Sequence, residues 1–328
     1  GTTYMVRVLG DAALYPWFEE PFTPNLVFEQ GLKTGTTSTT VHVSHFDAPL
    51  DNFRVSLFDG ETLLGFGITN ENGDATLTFS PALELIGEMQ LIVTGQSAWP
   101  QSFEVTGFDS NEAFVYGDII GLDVPAEFGS NRFVNIELFN KGDQPAMNVQ
   151  VEMNTDCEYV NVIPSNLYVA LLPGNDSINF NQAGLIQIAD NVPDQTQFTL
   201  NLDAIVGDAV HTTSRNFLIS APNLQFTYFD IEELSGDYNG FIDPGERIVL
   251  HVHGNNIGHA TAQNVYLSVE CEDERLWFEN STIVIGAIES DSSFTADLIL
   301  DTDANIVSGT VFHLDLTLHT DSYTTTLD

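Results

Sequence analysis

The chain is poor in base. Its 328 residues carry 8 Lys+Arg against 47 Asp+Glu, a formal charge of −39. Acid content is ordinary, so the imbalance comes from missing cations. Such a surface repels phosphate backbones and anionic headgroups, so nucleic acid and membrane insertion are not expected. It suits divalent cations, high salt and an extracellular life. No apolar run approaches the roughly 20 residues that cross a bilayer. Cysteine is nearly absent. Cys157 and Cys271 are 114 residues apart and read as small half-buried side chains rather than a disulfide. No helical stripe of any length occurs. Ala82–Ile86 has room for a single turn.

A repeat fills the gap that these absences leave. Gly117-Asp118-Ile119-Ile120-Gly121, with Pro125 and Glu127, recurs 119 residues on as Gly236-Asp237-Tyr238-Asn239-Gly240, with Pro244 and Glu246. The spacing then becomes 116. Asn140, Gly142, Ala146, Asn148 and Val149 reappear as Asn256, Gly258, Ala262, Asn264 and Val265, and Leu167, Leu172 and Ser177 as Ile283, Ile288 and Ser293. Two successive domains therefore share one fold.

Period-2 alternation marks half-buried strands throughout. Phe53, Val55 and Leu57 alternate with polar neighbours, as do Val134, Ile136 and Leu138, then Ile248, Leu250 and Val252. The last strand is expected to place Phe312, Leu314, Leu316 and Leu318 on one face. Asp59-Gly60 and Asn72-Gly73 are turn signals, the second a hairpin signal. The reading is all-β, three tandem antiparallel immunoglobulin-like β-sandwiches. A tail covers 1–24, the first sandwich 25–106, and the two repeats 107–222 and 223–328.

The best candidate site is the acidic loop. Asp237, Asn239, Asp243 and Glu246, with the Phe241 carbonyl, offer the oxygens that a structural calcium ion takes at about 2.4 Å. The same residues also suit a glycine-rich turn whose carboxylates cap backbone N–H groups. The first copy keeps Asp118, Asp123 and Glu127 but has Ile120 in place of the Asn. His251 and His253 share a strand face, a spacing open to a transition metal, but no third ligand lies nearby in sequence. The pattern reads first as solvent-facing histidines on a strand. No nucleophile elbow, phosphate loop or positioned Ser/Cys–His pair occurs, so no catalytic residue is assigned. Asn175-Asp176-Ser177 and Asn280-Ser281-Thr282 match the N-glycosylation sequon. Trp17, Trp99 and Trp277 serve as stacking platforms or as packing.

The segment Tyr4-Met5-Val6-Arg7-Val8-Leu9-Gly10-Asp11-Ala12-Ala13-Leu14 resembles the closing strand of gingipain-type cysteine peptidases, with Ala12 where Pro is usual. In that family an immunoglobulin-like module follows the catalytic domain. Val55–Gly60, Gly65 and Asn72–Phe79 are similar to its hairpin. The Gly-Asp-x-x-Gly…Pro-x-Glu repeats resemble modules downstream in large secreted bacterial proteins, often with type IX export. The resemblance implies a catalytic Cys and His upstream of Gly1, and Asp176-Ser177-Ile178 is similar to that group's short O-glycosylation sequon. The expected role is a non-catalytic extracellular scaffold or attachment segment of a gingipain-like secreted or surface protein. Expected partners are other copies of itself, a cell-surface or extracellular protein, or a glycan. The alternatives are a filament or surface-layer subunit joined by strand addition, and a calcium-dependent carbohydrate-binding module.

Overall fold

The computed structural model describes residues 21–327, apart from Asp47, Ser110, residues 164–166 and Ser308. The tail pattern from Tyr4 to Leu14 and Trp17 lie outside the described residues. The described residues hold no helix, so Ala82–Ile86 passes without a helical turn.

The first sandwich contains β1 (Asn25–Val27), β2 (Gly31–Lys33), β3 (Ser38–His45), β4 (Ala48–Pro49), β5 (Arg54–Asp59), β6 (Thr62–Ile68), β7 (Asp74–Thr78), β8 (Gly87–Thr94) and β9 (Gln101–Phe108). Strand β3 pairs with β1, β4 and β7. The facing sheet runs β2-β9-β8-β5-β6. Here β2 and β9 are parallel, the one departure from antiparallel pairing among the described strands. Asp59-Gly60 closes the β5–β6 hairpin. Asn72-Gly73 does not make a hairpin. The Gly73 carbonyl accepts the Val43 N–H of β3, which carries β7 across to the opposite sheet.

The second sandwich contains β10 (Val115–Leu122), β11 (Asn131–Asn140), β12 (Ala146–Asn154), β13 (Val160–Ile163), β14 (Leu167–Leu172), β15 (Asp176–Ile188), β16 (Thr196–Val206) and β17 (Ala209–Ile219). The third contains β18 (Leu224–Ser235), β19 (Arg247–Asn256), β20 (Ala262–Glu270), β21 (Leu276–Phe278), β22 (Thr282–Ile288), β23 (Ser292–Thr302), β24 (Asp315–His319) and β25 (Thr324–Leu327). Their sheets match strand for strand. The orders β10-β11-β15-β13 and β14-β12-β16-β17 become β18-β19-β23-β21 and β22-β20-β24-β25. First, second and fifth long strands on one sheet, with the third and the last two on the other, is the immunoglobulin-like arrangement. In both repeats the strand that edges the first sheet precedes the one that edges the second.

Each sandwich buries its own apolar cluster. Val41, Val55, Leu57, Leu77 and Leu91 lie in the first, Ile119, Ile136, Leu138, Leu200 and Leu202 in the second, and Ile248, Val265, Leu267, Leu298 and Leu318 in the third. Fully burying one such side chain contributes about 1.5–3 kcal/mol. The strand expected to run through Phe312–Leu318 begins only at Asp315, as β24, and β25 follows it. Phe312 and Leu314 lean on the third core but lie outside the ladder. Both cysteines are free and half-buried.

The repeated Asn and Gly have a shared task. Asn140 and Asn256 are both fully buried. The Asn140 Oδ1 accepts the N–H groups of Phe114 and Gly142, and its Nδ2 donates to the carbonyls of Gln144 and Leu172. The Asn256 Oδ1 accepts from Asn223 and Gly258, and its Nδ2 donates to Ala260 and Ile288. Phe114 and Asn223 belong to the segments that join one sandwich to the next. The same side chain thus clasps the incoming linker in both repeats. Gly142 and Gly258 follow because the linker passes so close. A Cβ on Gly142 would lie 1.8 Å from the Glu112 carbonyl oxygen, and on Gly258 2.3 Å from the Asn223 nitrogen.

Candidate functional site

The acidic loop bridges the end of β18 and the start of β19. Its framework is Glu246, a buried carboxylate whose backbone is fixed by Thr302. The Glu246 N–H donates to Thr302 Oγ1, and the Thr302 N–H donates to the Glu246 carbonyl. The Glu246 carboxylate accepts the Asp237 N–H at 3.2 Å and the Asp243 N–H at 2.8 Å. The chain turns tightly here, and a Cβ on Gly236 would lie 2.1 Å from Glu246 Oε1.

Glu233 is the second framework carboxylate. It accepts the Tyr238 N–H, and the Gly240 N–H at 2.6 Å. Sequence reasoning missed it. It precedes the Gly-Asp motif by three residues and reads as one more acid on an acidic strand. The structure brings Glu233, Asp237 and Glu246 together, with ligand oxygens within 4.8 Å of one another. Asn239 and Asp243 face each other instead, the Asn239 Nδ2 donating to Asp243 Oδ2 at 2.7 Å. The Asn239 Oδ1 accepts the Phe241 N–H. Tyr238 and Phe241 are 70% and 71% exposed beside this loop. The carboxylates therefore cap backbone N–H groups, and each capped oxygen keeps a second lone pair for a hard cation. Three convergent carboxylates match a calcium ion in charge and donor type.

The first copy does not gather its acids. Asp118 is set into β10, where burial raises its pKa and the nearby Arg215 only partly counters the effect. Asp123 Oδ1 accepts the Phe133 N–H, and Glu127 pairs with Arg132 at 3.5 Å.

The joints between sandwiches also hold polar contacts outside the ladders. At the first joint, Lys33 Nζ lies 3.0 Å from Asp143 Oδ1 and Lys141 Nζ 2.7 Å from Glu29 Oε1. Asn25 and Asn216 exchange two hydrogen bonds, and Gln30 Nε2 donates to the Thr212 carbonyl. Phe108 stacks on Phe114 at 4.5 Å, and Tyr116 on Phe139 at 5.2 Å. At the second joint, Asp194 accepts the N–H groups of Ala221 and His259 and pairs with the His259 ring at 2.8 Å. Burial opposes this charge. The bonds from Ala221 and His259 outweigh it and hold the Asp194 carboxyl below its usual range.

No protein-family profile and no curated protein sequence matches the chain. Among solved structures, a complex of Porphyromonas gingivalis RgpB pro- and mature domains aligns at 14% identity over 27% of this chain and 19% of that one, with a TM-score of 0.24. A three-immunoglobulin fragment of titin, I67–I69, aligns at 10% identity over 93% of this chain and 96% of that one, also with a TM-score of 0.24. The BSP domain of a biofilm-associated protein aligns at 12% identity over 60% of this chain and 29% of that one, with a TM-score of 0.28. The chain thus spans about a fifth of the gingipain structure it aligns with.

Proposed function

We propose that the chain is a non-catalytic extracellular scaffold, a stiff spacer that holds an attached domain away from its anchor point. The observation that carries this reading is the clasping of both joints. Each linker is held by a buried Asn, and each joint adds contacts between neighbouring sandwiches. Relative motion of such modules is the usual expectation unless their interface is well made. The gingipain-like context rests on the Tyr4–Leu14 pattern and the module that follows it, and makes a secreted peptidase the domain to be carried.

Spin labels on exposed Glu71 of the first sandwich and Asp291 of the third test the stiffness. A single narrow distance distribution is expected, and a broad one would overturn the spacer reading. Hydrolysis of Arg- or Lys-amide substrates by the purified chain would overturn its non-catalytic part.

Calcium is proposed as a clamp on the acidic loop, held by Glu233, Asp237 and Glu246. It would relieve repulsion among three carboxylates and fix the entry to β19. Calcium is expected to raise the melting temperature of the third sandwich relative to chelator, and Glu233→Gln to blunt the rise. Identical melting in both conditions removes the clamp. Tyr238 and Phe241, exposed beside the loop, favour a calcium-dependent glycan contact as a second reading, and silence on a glycan array with calcium present removes it.

A further inference from the structure

The third sandwich repeats the second strand for strand but covers less of its own core. Ile119 of β10 and Phe229 of β18 hold the same place, opposite Ile136 and Val252 on the core side of the first sheet. Ile119 is fully buried, whereas Phe229 is 63% exposed. Leu202 and Leu316 also correspond, opposite the inward residues Met153 and Val269. Two and four residues before them stand Leu200 and Phe198 in one repeat, Leu314 and Phe312 in the other. The first pair is buried within the ladder. The second is half-buried and outside it. Beside Phe312 and Leu314 a cavity of about 260 Å³ opens towards Leu276 and Leu300.

The missing cover is visible in the second sandwich. Residues 214–219 of β17 run beside β16, with Arg215 opposite Leu200 and Phe217 opposite Phe198. The Phe217 and Phe198 rings stack at 5.3 Å. The same strand shuts the edge of β10. Thr213 Oγ1 donates to the Gly117 carbonyl, and the Arg215 guanidinium donates to the carbonyls of Ile119 at 2.8 Å and Ile120 at 2.6 Å. In the third sandwich Leu327 of β25 is the counterpart of Thr213, since they stand opposite Leu316 and Leu202. Among the described residues no strand lies beside 310–314, and β18 pairs with β19 alone.

We infer that this slot receives one added β-strand from another polypeptide. The strand it fits is extended, apolar at alternate positions, and carries a basic side chain. Its apolar residues cover Phe229, Phe312 and Leu314, as Phe217 and Ile219 cover the second core. Its basic residue answers Asp230, Glu232 and Glu233 of β18 and repeats the reach of Arg215 to edge carbonyls. Main-chain groups at 310–314 supply the pairing. In strand addition the backbone bonds carry affinity and the side-chain pockets carry choice. The third sandwich thereby becomes a point of attachment as well as a bead of the spacer.

A fluorescein-labelled peptide copying residues 212–221, which contain the strand that closes the second sandwich, is the probe. Titrated with the whole chain, its anisotropy is expected to saturate at one peptide per chain. Hydrogen exchange is expected to slow at 310–314 and to stay unchanged in the second sandwich. Phe229→Ser alters a side chain that already faces solvent. It is expected to weaken the peptide by about tenfold at an unchanged melting temperature. The same peptide carrying Phe217→Asp is expected not to bind. Absence of saturable binding, binding indifferent to both changes, or protection confined to other strands overturns the slot. So does a dimer of the chain that Phe229→Ser abolishes and the peptide fails to dissociate, because a second copy then fills the space. None of these outcomes bears on the spacer or the calcium clamp.

Discussion

The two joints do one job with different chemistry. The first is built from ring stacking and from cations, in which the chain is poor. Lys33 and Lys141, two of only eight basic residues, both sit there, each paired with an acid of the neighbouring sandwich. The second relies on one well-held carboxylate, Asp194, and on backbone groups of Ala221 and His259. The lesson is that only the Asn–Gly clasp is common to both. Each joint adds its own fastening, and these fastenings respond to different conditions.

Removing the clasp is the heaviest blow. Asn256→Ala leaves two N–H groups and two carbonyls without their buried partner. At about 1–3 kcal/mol for each group that water cannot reach, the third sandwich is expected to lose about 3 kcal/mol or more. Asn140→Ala is expected to do the same to the second. Calorimetry that resolves the transitions checks this, and unequal losses would break the equivalence of the two clasps. Next comes Phe114→Ala, which empties the ring cluster of the first joint at a cost of about 3 kcal/mol. The label distance between first and third sandwiches should broaden, while one measured across the second joint stays sharp.

Acid separates the joints further. The folded-state pKa of Asp194 is depressed, so its contribution is complete above the ordinary aspartate pKa of about 3.9 and is lost as pH falls through the lower folded value. The second joint should loosen in that window, and Asp194→Asn should loosen it at every pH. Smallest is Lys33→Ala. Lys33 and Asp143 are part-exposed, so the loss is expected to be at most about 1 kcal/mol and to shrink in salt.

Much of the fold was legible because burial alternates with period 2. Val149, Val151 and Met153 face inward, just as their spacing implies. The repeat was legible as well, and with it Asn140 and Asn256, although their task was not. A clasp depends on a linker 26 or 33 residues earlier in the chain, and pattern alone gives no such pairing. Asn72-Gly73 carried a correct turn signal but not a hairpin, because the direction a turn sends the chain is decided by a bond to Val43 on another strand. Phe312 and Leu314 kept their inward lean while falling outside the ladder, since alternation reports a face and not a partner. At the acidic loop, Asp237 and Glu246 were legible from ligand type. Glu233 was not, because the local backbone turn that points the Tyr238 and Gly240 N–H groups at it is not written in residue type.

One property of the clasp bears on how such chains arise and how they can be rebuilt. The buried amide grips main-chain N–H groups, from a phenylalanine in one case and an asparagine in the other, and so is blind to the side chain it holds. A bead that carries its own socket accepts whatever bead is threaded before it. Swapping the order of the two related beads, or grafting one behind a foreign partner, should therefore leave the socket working.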